Sequence, residues 1–295
     1  MRFLKTFFSF ILLCFFAGCE KAIDFDLNET TAKLVVEATI ESGSAPIVVL
    51  TNSFDYFSTI NPQLLASAFV HGADVLISNG TKTQKLKEYS IPVSTDYALS
   101  YYTTDSSELN TAFVGALNGT YTLKINKEGQ EYTATTTIPS SSKVVDSVWW
   151  KPAPPSDDST RVVVIAKATD PPGYGDYVRY FTKKNSEAFF PGLNSVYDDL
   201  FVDGTTHEIA VEPGFDRNQD REEEDLFFHK GDTVVLKLSN IDHATYDFWR
   251  TMEYSYNSIG NPFATPVKVS GNISNGALGY FGGYASQFYT LVIPK

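Results

Sequence analysis

Apolar and polar residues alternate along most of this chain in short runs broken by turn-forming residues. Residues 34–40 and 47–51 read as strands. Residues 73–78 alternate at a period of two, which puts successive side chains on opposite faces of a sheet. Asn79-Gly80 then favours a two-residue hairpin turn, and 81–88 returns as a polar strand. Asn118-Gly119 opens a further hairpin, 121–125 alternates again, Lys127-Glu128-Gly129 turns, and 132–138 comes back. Residues 53–68 break the rhythm. With Asn61-Pro62 and the short apolar Leu64-Leu65-Ala66 they predict a long loop with one helical turn. Strands spaced in this way predict a mainly β fold, beginning with an Ig-like or transthyretin-like β-sandwich over 33–138.

Residues 139–143, with Pro139 and three serines, read as a linker. A second β-sandwich domain is expected over 144–295, with strands at 144–150, 161–166, 177–183, 208–211, 233–238 and 288–293. The unbroken apolar run in 161–166 predicts a central strand covered on both faces. This domain carries one helix, near 242–256. Ala244, Phe248, Trp249, Met252 and Tyr256 share one face at helical spacing, with Asp247, Arg250 and Glu253 opposite. Ser239 or Asp242 can cap its start, and Gly260-Asn261-Pro262 stops it.

The first residues follow a different pattern. Arg2 and Lys5 precede an apolar run from Phe7 to Phe16, too short to span a bilayer, and residues 1–18 read as a cleaved export signal. Phe16-Ala17-Gly18-Cys19 resembles the bacterial lipobox, with Phe16 in place of the preferred Leu. That likeness implies lipid on Cys19: a diacylglyceryl group on the thiol and an acyl chain such as palmitate on the amine. More than one chain is what makes such an anchor stable. Residues 19–32 form the tether. Its acidic start, Glu20 to Asp26, resembles the surface-export signal of Bacteroidota lipoproteins, so the outward face of the outer membrane is expected, with the periplasmic face as the alternative.

Composition narrows the function. Cys14 falls in the signal and Cys19 takes lipid, so no disulfide is expected. The net charge of −12 and the lack of a basic stripe weigh against nucleic acid as a partner. The 17 Tyr, 22 Phe and 3 Trp are read first as sheet cores and cross-strand pairs, with sugar platforms second.

Candidate chemistry is sparse. Asp216, Asn218 and Asp220 alternate like the start of a calcium loop, but Arg221 stands where its glycine belongs and Phe227 where its bidentate Glu belongs. They remain the calcium candidate, with a solvated acidic loop favoured. His71, His207, His229 and His243 lie at no metal-ligand spacing from one another. Residues 271–276 are no nucleophile elbow, and 279–283 lack the setting of a phosphate loop. No catalytic residue, cofactor or metal is expected. A binding or docking surface, if there is one, falls on Trp149, Trp150, Trp249, Tyr280, Phe281 and Tyr284, although core packing explains the last three as well.

Several segments together resemble a known family. They are Cys19-Glu20-Lys21 with Ile23-Asp24, residues 33–38, Asp170-Pro171-Pro172-Gly173, Tyr246-Asp247-Phe248-Trp249, and residues 261–266 and 271–285. They are similar to the Bacteroidota outer-membrane lipoproteins of domain-of-unknown-function family 4249, along most of the chain after Cys19. The resemblance implies a lipoprotein often encoded beside a TonB-dependent outer-membrane transporter, and it brings no catalytic residue. The expected function is a non-enzymatic accessory to such a transporter in nutrient capture or uptake. The rivals are a free-standing glycan- or peptide-binding module, a hydrolase with carboxylates from separate strands, and a structural envelope lipoprotein without a pocket.

Overall fold

A computed structural model describes residues 32–295, apart from 55–57, 60, 95–96, 155–157, 220, 262 and 266. The export signal, Cys19 and nearly all of the 19–32 tether lie outside the described residues.

The chain is mainly β. In order it forms β1 (Leu34–Glu41), β2 (Ile47–Asn52), α1 (Pro62–Ala68), β3 (Asp74–Ser78), β4 (Thr83–Ser94), β5 (Tyr97–Thr104), β6 (Gly119–Lys127) and β7 (Gln130–Ile138). Then come β8 (Val144–Pro152), β9 (Arg161–Thr169), β10 (Tyr177–Lys184), β11 (Phe190–Tyr197) and β12 (Thr206–Val211). A 3-10 turn (Glu223–Leu226), β13 (Phe228–His229), β14 (Thr233–Ile241), α2 (His243–Asn257) and β15 (Leu278–Val292) complete it.

Each half has its own apolar core. Alternation sends Val36, Ala38 and Ile40 of β1 inward to meet Val75 and Ile77 of β3 and Leu123 and Ile125 of β6. The second core joins Val162, Val164 and Ala166 of β9 to Val178 of β10 and Val234 and Leu236 of β14. β9 is central, with β8 on one side and β12 followed by β13 on the other. Only one of its faces is fully buried, because Val163 and Ile165 stay half-exposed. The expected cover on both faces is corrected.

The division at 139–143 is corrected as well. β15 pairs in parallel with β1 through its first half (Leu278–Tyr284) and antiparallel with β14 through its second (Tyr284–Val292). One sheet therefore runs β11-β10-β14-β15-β1-β2-β5-β4-β3-β6-β7 across both halves. Phe281 and Ala285 of β15 fill the first core, and Tyr289 and Leu291 pack on the second. Residues 32–295 form one compact unit. The serine-rich stretch is no free linker either: Lys143 is buried, its N–H donates to Asn240 Oδ1 at 3.0 Å, and its carbonyl accepts from Asn240 Nδ2 at 3.0 Å.

Turn chemistry accounts for the smaller differences. The turn expected at Lys127-Glu128-Gly129 is made by two residues, Glu128 and Gly129, with positive φ at both (51° and 79°). The loop at Asn79-Gly80 takes four residues, because Asn79 Oδ1 accepts from the N–H groups of Thr81 and Lys82 and widens the turn. Asn118, at φ 59°, leads into β6, the first strand of the expected β6–β7 hairpin. The helical turn expected in 53–68 is α1, whose start is capped by Asn61 Oδ1 accepting from Leu64 N–H at 2.8 Å.

Candidate functional site

The outer face of β1 and β15 is covered by α2. Strand alternation leaves Val35 and Glu37 of β1 on this face, beside Tyr280 and Tyr284 of β15. Asp242 starts the helix, with Oδ1 accepting from Thr245 N–H at 2.9 Å. Its Oδ2 accepts from Thr136 Oγ1 at 2.8 Å and Thr137 N–H at 2.9 Å, which ties the helix start to β7. Ser239, the other expected cap, lies buried in β14. The helix buries Thr245, Tyr246, Phe248 and Glu253, so its packed arc is turned from the expected one and takes in Glu253.

A buried polar chain holds the helix down. Glu253 Oε2 accepts from Ser195 N–H at 2.9 Å, and Oε1 accepts from Ser195 Oγ at 2.5 Å and Arg217 Nη2 at 3.3 Å. Arg179 donates from Nε to Ser195 Oγ at 3.1 Å and lays its guanidinium 3.3 Å from the centre of the Trp249 ring. Such a cation–π contact is strong when desolvated, and Arg179 is buried. Trp249 Nε1 donates to Tyr284 Oη at 2.9 Å. Phe248 stacks on Tyr280 with ring centres 4.3 Å apart, and Trp249 meets Tyr280 edge-on at 5.2 Å. Burial raises the Tyr280 phenol well above its usual pKa, so it stays protonated.

Beside this aromatic wall lies a cleft of about 650 Å³. Phe248, Trp249, Met252 and Tyr280 form one side, and Val35, Glu37 and Leu278 lie along the strands. Lys33 and Lys268 also border it. Glu37 is water-accessible and lines the cleft. The protein crowded around it raises its carboxyl pKa, and the nearby Arg179 charge offsets part of that rise. Gly279 shapes the same wall. Its φ is +95°, and a Cβ there would collide with the Val36 carbonyl oxygen.

Of the expected surface residues, Tyr280, Phe281 and Tyr284 are buried: Phe281 fills the first core, and Tyr280 and Tyr284 pack between β15 and α2. Trp149 and Trp150 are half-buried, and Trp150 packs on the second core. Trp249 alone of the six borders the cleft while staying half-exposed. Glu37, Arg179, Ser195 and Glu253 carried no cue in the sequence, because a charged residue in an alternating strand or a helix reads as solvated. A second cavity, of about 280 Å³, lies between the sheets of the second sandwich among Ala166, Val178, Leu236 and Leu238. Its walls are mostly aliphatic, and Lys143, Tyr180, Tyr197, Asp198, His207 and Glu208 also border it.

Metal chemistry is a separate matter. Asp216 Oδ1 accepts from Asn218 N–H and Nδ2, both at 2.9 Å, so these two residues close a turn on each other; Asp220 lies outside the described residues. Asp158, Glu224 and His229 also converge, but they already pair with protein groups: the Arg161 guanidinium meets Glu224 at 2.5 Å and Glu223 at 2.7 Å, and His229 Nε2 lies 3.0 Å from Glu224. Among the described residues no helix is long and apolar enough to cross a membrane. Comparison with curated proteins returns no match. The domain of unknown function DUF4249 matches residues 20–289, nearly the whole chain, and the protein belongs to that family.

Proposed function

We propose that this protein is a non-enzymatic, lipid-anchored binding module of the outer membrane, acting as accessory to a TonB-dependent transporter. The cleft under α2 is the observation that carries the reading. It has an apolar body, one aromatic platform at Trp249 and polar groups to orient a ligand, the usual make-up of a small-molecule site. A hydrolase of the two-carboxylate kind would need a second carboxylate opposite the first, and among the described residues Glu37 is the one carboxylate in the cleft lining. A purely structural role gives no reason for the cleft. The ligand chemistry it favours is an apolar or aromatic body with an amine or hydroxyl for Glu37 and an anionic group for Lys33 or Lys268.

The test is co-purification of the full-length protein from its own outer membrane in a mild detergent. Recovery of a TonB-dependent barrel, lost in a Cys19→Ser variant that no longer fractionates with membranes, supports the accessory role. A membrane-bound protein that brings no barrel with it sinks that role and leaves a free-standing glycan- or peptide-binding module.

A further inference from the structure

We propose that Asp170, Asp199 and Asp203 form a binding site for a hard divalent cation, calcium. The site lies where the β9–β10 turn meets the β11–β12 loop, and it does not depend on the function proposed above. One carboxylate oxygen from each residue lies within 4.8 Å of the other two. Calcium–oxygen bonds run about 2.3–2.6 Å, so oxygens on opposite sides of one ion sit about that far apart.

The second observation is Asp170 itself. It is 1% exposed, its Oδ1 is met by Lys143 alone, and its Oδ2 receives no hydrogen bond. Lys143 Nζ, 2.8 Å from Oδ1, supplies an ion pair on one side and leaves Oδ2 without a donor. A buried carboxylate oxygen left in that state is costly unless a cation meets it. The neighbouring acids are oriented rather than neutralised. Asp199, also buried, accepts at Oδ2 from Gly175 N–H at 2.8 Å and Asp176 N–H at 3.1 Å. Asp203 accepts at Oδ1 from Gly173 N–H at 2.6 Å. Each then keeps a second oxygen for the ion. Lys143 balances one of the three charges, and Asp176 and Asp198 sit in the same two loops. A lone Lys143–Asp170 pair would explain Asp170, but not why two more carboxylates gather on it at the expense of like-charge repulsion. Calcium takes six to eight oxygens, so water or backbone carbonyls complete the shell.

The experiment is thermal unfolding of the intact protein in EDTA and in rising calcium chloride, with sodium chloride matching the ionic strength. The expected result is a saturable rise in Tm of roughly 5 °C once calcium is about a hundredfold above its dissociation constant. Asp203→Asn keeps an oxygen for Gly173 N–H but removes a charge, and it should raise the half-saturating calcium concentration about tenfold or more. Asp216→Asn should leave the response intact. A local readout is chymotrypsin cleavage after Phe201, which is 91% exposed between two of the ligands. Calcium should slow that cut in the wild type, whether or not the variant folds. The absence of both saturable responses in the wild type, or a folded Asp203→Asn protein that responds like it, overturns the site.

Discussion

Glu88 of β4 and Glu37 of β1 are both glutamates on strands, yet their surroundings shift them in opposite directions. Burial pushes the Glu88 carboxyl up, but donors from Gly72 N–H, Ser100 Oγ, His71 and Tyr102 Oη outweigh it and hold its pKa down at about 2. The Ser100 and His71 contacts are both 2.5 Å long. A carboxyl whose folded pKa is depressed contributes stability that is complete above its unfolded value. That contribution is lost as pH falls from 4.5 toward 2. Replacing Glu88 with Gln should cost on the order of 2 kcal/mol at pH 7 and little at pH 2, measured by urea unfolding at both. Glu37 runs the other way. Its folded pKa is raised, so its ionisation opposes folding as pH climbs past the unfolded value. Glu37→Gln should therefore raise the urea midpoint at pH 7 and leave it unchanged below pH 4. A Glu37→Gln protein less stable than wild type at pH 7 would show that the carboxylate is held by favourable contacts rather than crowded into the cleft. Neither residue stood out in the sequence, where only the period of two was visible and both looked solvated.

Among the elements, α2 was the most legible and still showed where sequence reading stops. Its helical spacing, its Asp242 cap and its partners Phe248, Trp249 and Met252 follow from the residue pattern. Its rotation does not, because two neighbours share it: β15 takes Phe248 and Trp249, and β11 takes Glu253 through Ser195. β11 itself was missed because it contains Pro191 and Gly192, residues that a sheet tolerates at an edge, which is where β11 lies. The first half of β15 was hidden in the same way by Gly279, Gly282 and Gly283. Asp242 joins helix to sheet, so its loss removes more than a cap. Asp242→Ala should cost roughly 2–3 kcal/mol, about 1 for the cap and the rest for the severed Thr136 and Thr137 bonds. Asp242→Asn keeps one acceptor and should recover about the cap's share. Equal losses in the two variants, by chemical denaturation, would mean that the charge matters and the cap does not.

For the whole molecule, the decisive question is whether the two cores unfold together. The sequence predicts two sandwiches with a linker, and the two cores are there. Pairing between strands far apart in sequence leaves no local trace, so nothing in residues 278–292 announces that this strand joins β1 to β14. The location of the tryptophans makes the coupling measurable. All three, Trp149, Trp150 and Trp249, lie after residue 143; Trp149 and Trp150 of β8 report on the second half, and Trp249 on the contact of α2 with β15. Leu123 of β6 is fully buried in the first core, in a strand paired with β3 and β7 and remote from every tryptophan in the sheet order. Leu123→Ala should cost roughly 2–5 kcal/mol in that core. If two independent domains were tethered by residues 139–143, the tryptophan transition would keep its wild-type urea midpoint while far-UV circular dichroism split into two steps. With β15 lending Phe281 and Ala285 to one core and packing Tyr289 and Leu291 on the other, loss of the first core strips β1 from one edge of β15 and uncovers its apolar residues. The tryptophan and circular dichroism midpoints should then fall together and by the same amount.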